Sequence, residues 1–482
     1  MKGLVWFRRD LRLHDNPALA AACQECSEIV PLFVFDEPLL HSRVFGPFCV
    51  GFMLGCLENL RQSLDDQGLH LAWRLGEPVE TVTRLAMELA VDRVYWNRDY
   101  EPTAIERDLS VQRCLEQRGQ TVCTFKDHVV FEADEVRGLT GQPFQRYSAY
   151  RDRWWAKWRA ATPPLMAVPK FEGLKTFPSV PAMAPLPSAA TLGYETVPMW
   201  IEPGEKAARS RLQWFLRGPV HTYVSGRNLP AIDGTSKLSP HLRFGTISAR
   251  TVIHAALNTI SKGGSISRAD VLTWMDEIVW REFFQQVLMA FPRVADGSFK
   301  TKPGLPLARA EGPERDRLFG AWCEGKTGYP IVDAGMRQLN QTGWMHNRVR
   351  MVVASFLVKD LRIDWQSGER YFMRQLVDGD LAANNGNWQW CASTGTDAMQ
   401  GYRIFNPRTQ SEKFDDEGMY IRQYVPELSD VPVKWIHEPH LMPESEQRRA
   451  KCRIASEYPA PIVDHRQARQ EYLALGKQPV AP

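Results

Sequence analysis

The 482-residue sequence has no long apolar run. Its most apolar stretch, around Met351–Val358, falls far short of the ~20 residues that carry a helix across a bilayer, so no membrane-spanning helix is expected. The first ten residues place Lys2, Arg8, Arg9 and Asp10 around one short apolar strand. They lack the apolar segment and small-residue cleavage site of an export signal, and a cytoplasmic protein is expected. Cysteine is sparse: nine are scattered along the chain, an odd number that reads as free thiols. Only Cys23 and Cys26 have C-x-x-C spacing, and no second pair lies near enough to complete a tetrahedral zinc site, so they read as helix packing and no metal is expected. An excess of one charge is also missing. Lys and Arg (59) against Asp and Glu (56) leave only +3, a total that by itself predicts no polyanionic partner.

What the chain does have is tryptophan, 16 of them, more than a core ordinarily uses, in a composition (44% apolar, 24% charged) typical of globular proteins. From Gly3 to about Asp127, short β-branched and aromatic runs (Gly3–Phe7, Ile29–Phe35, Leu71–Leu75, Arg93–Trp96, Thr121–Phe125) alternate with amphipathic stretches near 50–67, 79–91 and 103–118. That alternation predicts an α/β domain with a Rossmann-like parallel sheet. The first strand is followed by Arg8-Arg9-Asp10-Leu11-Arg12 rather than G-x-G-x-x-G, which excludes a dinucleotide gripped by that loop but leaves open a ligand at the carboxyl ends of the strands. Nine of the 33 prolines fall between Thr162 and Pro203, the density of a linker or wrapping connection. Beyond it helical periodicity dominates. The expected organisation is an α/β domain over 1–130, an interdomain linker over 131–203 and a large all-α domain over 204–482.

Splitting the charge is more informative than summing it. Residues 1–200 carry 22 basic and 25 acidic side chains, whereas 201–482 carry 37 and 31, so the helical region alone is basic (+6). Within it, Val271–Phe291 reads as a long helix whose Glu277, Trp280, Arg281 and Phe284 fall at i, i+3, i+4 and i+7, placing an acid, an indole and a guanidinium on one stripe. The bland reading is a surface ion pair beside a core tryptophan; the sharper one is a cavity wall where the indole stacks on a planar ligand. Asp378-Gly379-Asp380-Leu381-Ala382-Ala383-Asn384-Asn385-Gly386-Asn387-Trp388-Gln389-Trp390 reads as a poor helix or strand and a good pocket lining: acids and amides for a heterocycle's edge, indoles for its faces. The same chemistry holds flipped bases. Trp344–Met351 adds amides and guanidinium groups at helical spacing, and Gly234-Thr235-Ser236-Lys237-Leu238-Ser239-Pro240 offers hydroxyls and backbone N–H groups ahead of a helix, suited to phosphate although such turns are most often caps.

Together these segments closely resemble the photolyase/cryptochrome family. The resemblance runs from Val5-Trp6-Phe7-Arg8-Arg9-Asp10-Leu11-Arg12 to Pro459-Ala460-Pro461-Ile462-Val463, and its most specific stretches are Trp280–Phe283, Thr327–Ala334, Trp344–Met351, Asp378–Trp390 and Arg403–Pro407. Among subgroups the chain looks most like the class I bacterial photolyases of cyclobutane pyrimidine dimers. The resemblance implies FAD in the helical domain. Tyr223, Thr235, Ser236, Lys237, Leu238 and Ser239 would hold its phosphates, and Trp274, Asn347, Arg350, Asp378, Gly379 and Asp380 would surround the flavin, with Arg350 and Asp378 expected to pair. Asn384 would face the flavin, where plant cryptochromes typically have an acid and animal ones a cysteine. Trp280 and Trp390 would flank the dimer and Glu277 would hydrogen-bond to it. Arg227, Arg281, Phe284, Asn347, Arg348, Met351, Arg403 and Gln410 would line the DNA side. The implied reaction is light-driven: reduced FAD passes an electron to the flipped dimer and recovers it once the cyclobutane bonds split. A monomer acting on dimer-containing DNA is implied. So is a second antenna chromophore, folate or deazaflavin, in the α/β domain.

Departures from the family pattern sharpen the reading. Trp388 and Trp365 fit the inner and middle members of the tryptophan chain that photoreduces the flavin in relatives. The outer member should precede Trp322, where the chain reads Ala310-Glu311-Gly312-Pro313-Glu314. Either another residue, Trp322 being one candidate, ends the chain, or the flavin is reduced by other means. Ala398-Met399-Gln400-Gly401-Tyr402 lacks the proline and aromatic pair of close relatives, and no acid matches the folate-binding one after Tyr100-Glu101. A (6-4) photolyase usually shows adjacent histidines where this chain has His346-Asn347, and an iron–sulfur photolyase needs more than the Cys323, Cys391 and Cys452 of the helical region. A blue-light-sensing cryptochrome of the same fold would often add a long polar tail, for which the residues after Ile462 leave little room.

Overall fold

A computed structural model describes residues 1–175, 185–261, 267–300, 308–309, 311–397 and 403–475. Ala310 and the 398–402 departure lie outside the described residues. The described chain forms two compact units interleaved in sequence: Met1–His221 with Ser236–Pro292 and Val377–Ala383, and Thr222–Thr235 with Arg293–Leu376 and Asn384–Pro482.

The first unit is built on a parallel five-stranded sheet. β1 (Lys2–Phe7) pairs with β2 (Glu28–Asp36) on one side and β4 (Arg93–Asn97) on the other; β3 (Ala72–Gly76) lies outside β2 and β5 (Thr121–Phe125) outside β4. The strands read as apolar runs because both faces are covered: Leu4, Trp6, Val30, Leu32, Val94 and Trp96 are buried with Val82, Leu85, Val111 and Leu115 of the crossover helices. Those helices, Pro17–Glu25, Pro47–Asp65, Pro78–Glu88 and Pro102–Glu116, open on proline, whose fixed φ suits a first turn and whose missing N–H costs nothing there. The chain leaves β1 in one direction for β2 and β3 and returns to β4 and β5 on the other side. This change of direction creates the crevice at the carboxyl ends where doubly wound folds take ligands. Arg8, Arg9, Asp10, Asn97, Arg98, Asp99, Asp127 and His128 line it.

Among its described residues, segment 131–203 carries one long helix, Tyr147–Ala160, with Trp154 and Trp158 buried. It is tied to the Arg268–Ala290 helix through the buried Glu282, whose carboxylate receives the N–H groups of Val130 (2.6 Å) and Phe131 (3.0 Å) and the Trp154 indole N–H (2.6 Å). The acid of the Trp280–Phe283 stretch is therefore a brace.

The second unit is helical; among its described residues the only β pairing is an isolated bridge, Ile454 to Tyr458. Its core gathers Leu318, Trp322, Val332, Met336, Val353, Leu357, Phe372, Trp388 and Tyr420. The family stretches Thr327–Ala334 and Pro459–Val463 meet here. Asp333 accepts from the Thr327 N–H (2.7 Å), the Thr327 hydroxyl (2.6 Å), the Gly328 N–H (3.0 Å) and the Tyr458 hydroxyl (2.6 Å), while Ile462 donates to Thr327 O (3.0 Å). Gly328 has φ +77°, and a Cβ there would stand 2.5 Å from the Pro461 nitrogen, so glycine is required by conformation and space alike.

Candidate functional site

Sequence-predicted residues occur in both units. In the first, Ser267 caps the Arg268–Ala290 helix through its hydroxyl, which accepts the Asp270 N–H. Trp274 is buried with its ring 4.7 Å from Phe215. Three residues on, Glu277 is half-buried. Trp280 lies flat on Tyr147, with centroids 3.6 Å apart and planes at 10°, and its other ring neighbours are Phe283 and Phe284. Tyr147 went unread in the sequence because periodicity identifies a face and not its partner. Arg281 turns to His128, donating to its carbonyl at 2.8 Å.

The turn before the Leu381–Ala392 helix is held from several directions. Gly379 O accepts from Arg243 Nε at 2.6 Å; the Asp380 carboxylate accepts from Arg9, from Gln285 Nε2 at 3.1 Å and from the Ala383 N–H at 3.0 Å. That last bond makes Asp380 the cap of a helix, which corrects the reading of Asp378–Trp390 as non-helical. Residues 381–392 are helical. Asn and Gly weaken a helix in isolation, but a capping carboxylate and burial in the core override propensity. Burial alone would raise the Asp380 carboxyl; the Arg9 guanidinium outweighs it and holds the group well below the ordinary range. Burial, with the cations Arg281 and Arg9, pushes His128 down to about 3, so its ring is neutral. Ser236 O accepts from Arg211 Nε (2.9 Å), Lys237 adopts φ +51° with its ammonium 5.6 Å from the Trp200 ring, Leu238 is buried and Ser239 is exposed.

In the second unit Tyr223 is buried with Arg227 over its ring at 5.6 Å. His346 caps the Asn347–Ser355 helix, leaving Asn347 exposed at its start. Arg348 is half-buried: it donates twice to Asn228 Oδ1 (2.7 and 3.2 Å), and its guanidinium lies 4.5 Å over Phe414. Burial, then the like charges of Arg227 and Arg403, hold its pKa below the usual value. A desolvated cation beside two more is arranged for an anion, as phosphate recognition requires. Arg350 donates to Met345 O (2.8 Å), and Met351 and Trp390 are half-buried. The Arg403 carbonyl accepts from the buried Lys359 (2.8 Å). Gln410 Oε1 is buried with no hydrogen-bond partner among the described residues.

Thr235 ends the Thr222–Thr235 segment of this unit. Asn384 and Asn385 both face Glu369: Asn384 donates to its carbonyl (3.0 Å) and Asn385 to its carboxyl (2.9 Å), and burial pushes that carboxyl up to about 7. Trp388 is buried, with ring neighbours Phe372 (5.0 Å, near-perpendicular) and Trp322 (6.2 Å). Trp365 donates its indole N–H to Ser298 Oγ (3.1 Å). Trp322 continues to Tyr371 at 5.7 Å.

These features combine buried, unpartnered acceptors with a group of guanidinium side chains suited to an anion, and the matching families define the class as a flavoprotein. Residues 3–170 match the family described as DNA photolyase, and residues 274–478 match the FAD binding domain of DNA photolyase. The chain therefore belongs to the photolyase/cryptochrome family. Among its relatives is the deoxyribodipyrimidine photo-lyase of Synechococcus sp., 40% identical over 98% of this chain and 96% of that one. Similar solved structures include a class III photolyase from Agrobacterium tumefaciens (TM-score 0.87, 36% identity, 98% of this chain and 96% of that one) and an archaeal photolyase from Sulfolobus tokodaii with two FAD molecules (TM-score 0.81, 32% identity, 99% and 100%).

The residues present fit FAD. Gln285 Oε1 is buried without a partner among the described residues, beside the ionised Asp380, and such acceptors suit the N–H edge of a heterocycle. The left-handed φ of Lys237 in a hydroxyl-rich turn is the backbone form that turns successive N–H groups toward an anion. No helix of the described residues is long and apolar enough to cross a membrane.

Proposed function

We propose that this chain repairs cyclobutane pyrimidine dimers in DNA, driven by blue or near-ultraviolet light. The observation that carries the reading is the 40% identity, over nearly its whole length, to a deoxyribodipyrimidine photo-lyase. When bound, reduced FAD supplies a photoexcitable one-electron donor. Tyr223 and the Thr235–Ser239 turn would hold its phosphates; Trp274, Asn347, Arg350, Asp378, Gly379 and Asp380 would serve its ring system, and Asn384 would present an amide to it. Trp280 and Trp390 offer flat faces to the extruded dimer and Glu277 hydrogen-bonds to it. Tyr147, stacked on Trp280, keeps that indole in one plane. Arg227, Arg348 and Arg403 draw in the phosphates, and Asn347, Met351, Gln410, Phe284 and Arg281 are the further residues proposed to meet the DNA. The dimer is already poorly paired, which lowers the cost of extruding it. Trp388 and Trp365 would be the electron donors that reduce the bound group, and Trp322 is a further ring neighbour of Trp388. The protein acts as a cytoplasmic monomer on DNA, with a second light-harvesting chromophore in the α/β domain.

The deciding experiment supplies protein loaded with fully reduced FAD to DNA carrying cyclobutane dimers and, in parallel, (6-4) lesions. Repair of the cyclobutane lesion only under blue light, reduced in Glu277→Ala, is expected. Repair in the dark, or none by the reduced protein, would overturn the reading; repair of the (6-4) lesion alone would replace it with that alternative.

A further inference from the structure

We propose that Arg9, two residues beyond β1, is a positioning residue that keeps Asp380 an ionised hydrogen-bond acceptor at the head of the Leu381–Ala392 helix. The inference rests on the flavoprotein reading above, since that helix carries Asn384 and Trp388.

Arg9 and Asp380 are 371 positions apart in sequence and make a direct ion pair. The guanidinium is shared out with little slack. One terminal nitrogen donates to Glu101 Oε1 (2.7 Å) and Asp99 Oδ1 (3.3 Å), the other to Asp380 and to His128 Nε2 (3.0 Å), and Nε donates to Arg243 O (3.3 Å). Only a planar fork serves so many acceptors at once; a lysine ammonium is a single point.

The other groups around Asp380 cannot replace that charge. His128, from beyond β5, is a neutral ring 3.8 Å away. Gln285 contributes a dipole. Arg281, on the same helix as Gln285, gives its N–H groups to His128 and to Leu242 O, and Arg243 gives its Nε–H to Gly379 O. Asp99 and Glu101, from the turn after β4, and Asp378, two residues before, carry charge of the wrong sign. With Arg9 gone, Asp380 would be a buried carboxylate with no cation in direct contact, Glu101 repelling it and the Arg281 charge acting only from beyond His128, an arrangement in which carboxyls take up a proton. A protonated Asp380 donates from one oxygen, which weakens both its acceptance of the Ala383 N–H and its role toward the heterocycle.

The test is the dissociation constant of FAD, read from the fluorescence of released flavin between pH 5 and 9, with circular dichroism to confirm folding. Wild type is expected to be flat. Arg9→Gln should lose at least about tenfold in affinity as pH falls through a new transition, one pKa unit being tenfold. Asp380→Asn should bind weakly at every pH, and adding it to Arg9→Gln should abolish the transition. Arg9→Lys, whose ammonium cannot serve the two acids and Asp380 together, should show the transition displaced to lower pH, so the test survives if Arg9→Gln does not fold. Flat profiles in both Arg9 variants, or a transition that persists with Asn at 380, would overturn the proposal. A wild-type chain that binds no FAD would instead remove the flavoprotein reading on which it rests.

Discussion

At the proposed DNA-facing side, Arg348 is the residue whose surroundings say most about what one side chain would add. It is half-buried, anchored to Asn228, laid over Phe414 and flanked by like charge, so its attraction for a phosphate is less screened than that of an exposed lysine. Arg348→Ala should weaken binding to damaged and undamaged DNA alike and lower the slope of log affinity against log salt by about 1, as losing one phosphate contact does; titrations at several salt concentrations measure it. A slope equal to wild type would assign Arg348 to the fold. The sequence made Arg348 a candidate because guanidinium groups at helical spacing are visible there. Asn228 and Phe414 were not, since nothing local ties them to position 348. The same holds for Arg281: its stripe was readable, its turn toward His128 was not.

At the scale of elements, the Trp365–Gln375 and Leu381–Ala392 helices meet at Gly368, where an added Cβ would overlap the Trp388 ring and stand 2.6 Å from Leu357. Neither ring nor helix has room to give. Gly368→Ala is expected to cost roughly 1–3 kcal/mol, the range for overpacked cores, in denaturant unfolding. It should also slow flavin photoreduction, followed by the bleaching of oxidised flavin under blue light, because the displaced indole leaves its contacts with Phe372 and Trp322. The sheet was legible from its β-branched runs, and the long Arg268–Ala290 helix from its stripe. The Leu381–Ala392 helix was not, because its evidence lies in Asp380 turning back to cap it and in the packing of Trp388, neither of which a propensity scale contains.

For the whole molecule, stability should depend on pH through Glu369. Burial raises its carboxyl from an ordinary 4.5 to about 7, so between those values the folded chain holds a proton the unfolded chain has released. That contribution is complete below about 4.5 and is lost as pH rises through 7, at most roughly 3 kcal/mol. Glu369→Gln should flatten this part of the profile in unfolding experiments at pH 5 and 8; an unchanged difference would locate the titration elsewhere. The near-zero total charge concealed a basic helical half, and the proline-rich stretch suggested a single crossing from one domain to the next. Contacts instead assign Ser236–Pro292 and Val377–Ala383 to the unit that begins at Met1, an exchange of segments that no composition shift marks.

That interleaving bears on how the protein is made. The strands of the sheet emerge from the ribosome early, but the last piece of their unit, Val377–Ala383, is translated only after Arg293–Leu376, which belongs to the other. At roughly 5–20 residues per second, the nascent chain waits on the order of ten seconds between His221 and Val377. Through that interval Arg9 has no Asp380 to meet, and a ribosome stalled before position 377 would carry a sheet beyond whose first strand the Arg9 guanidinium still lacks that carboxylate.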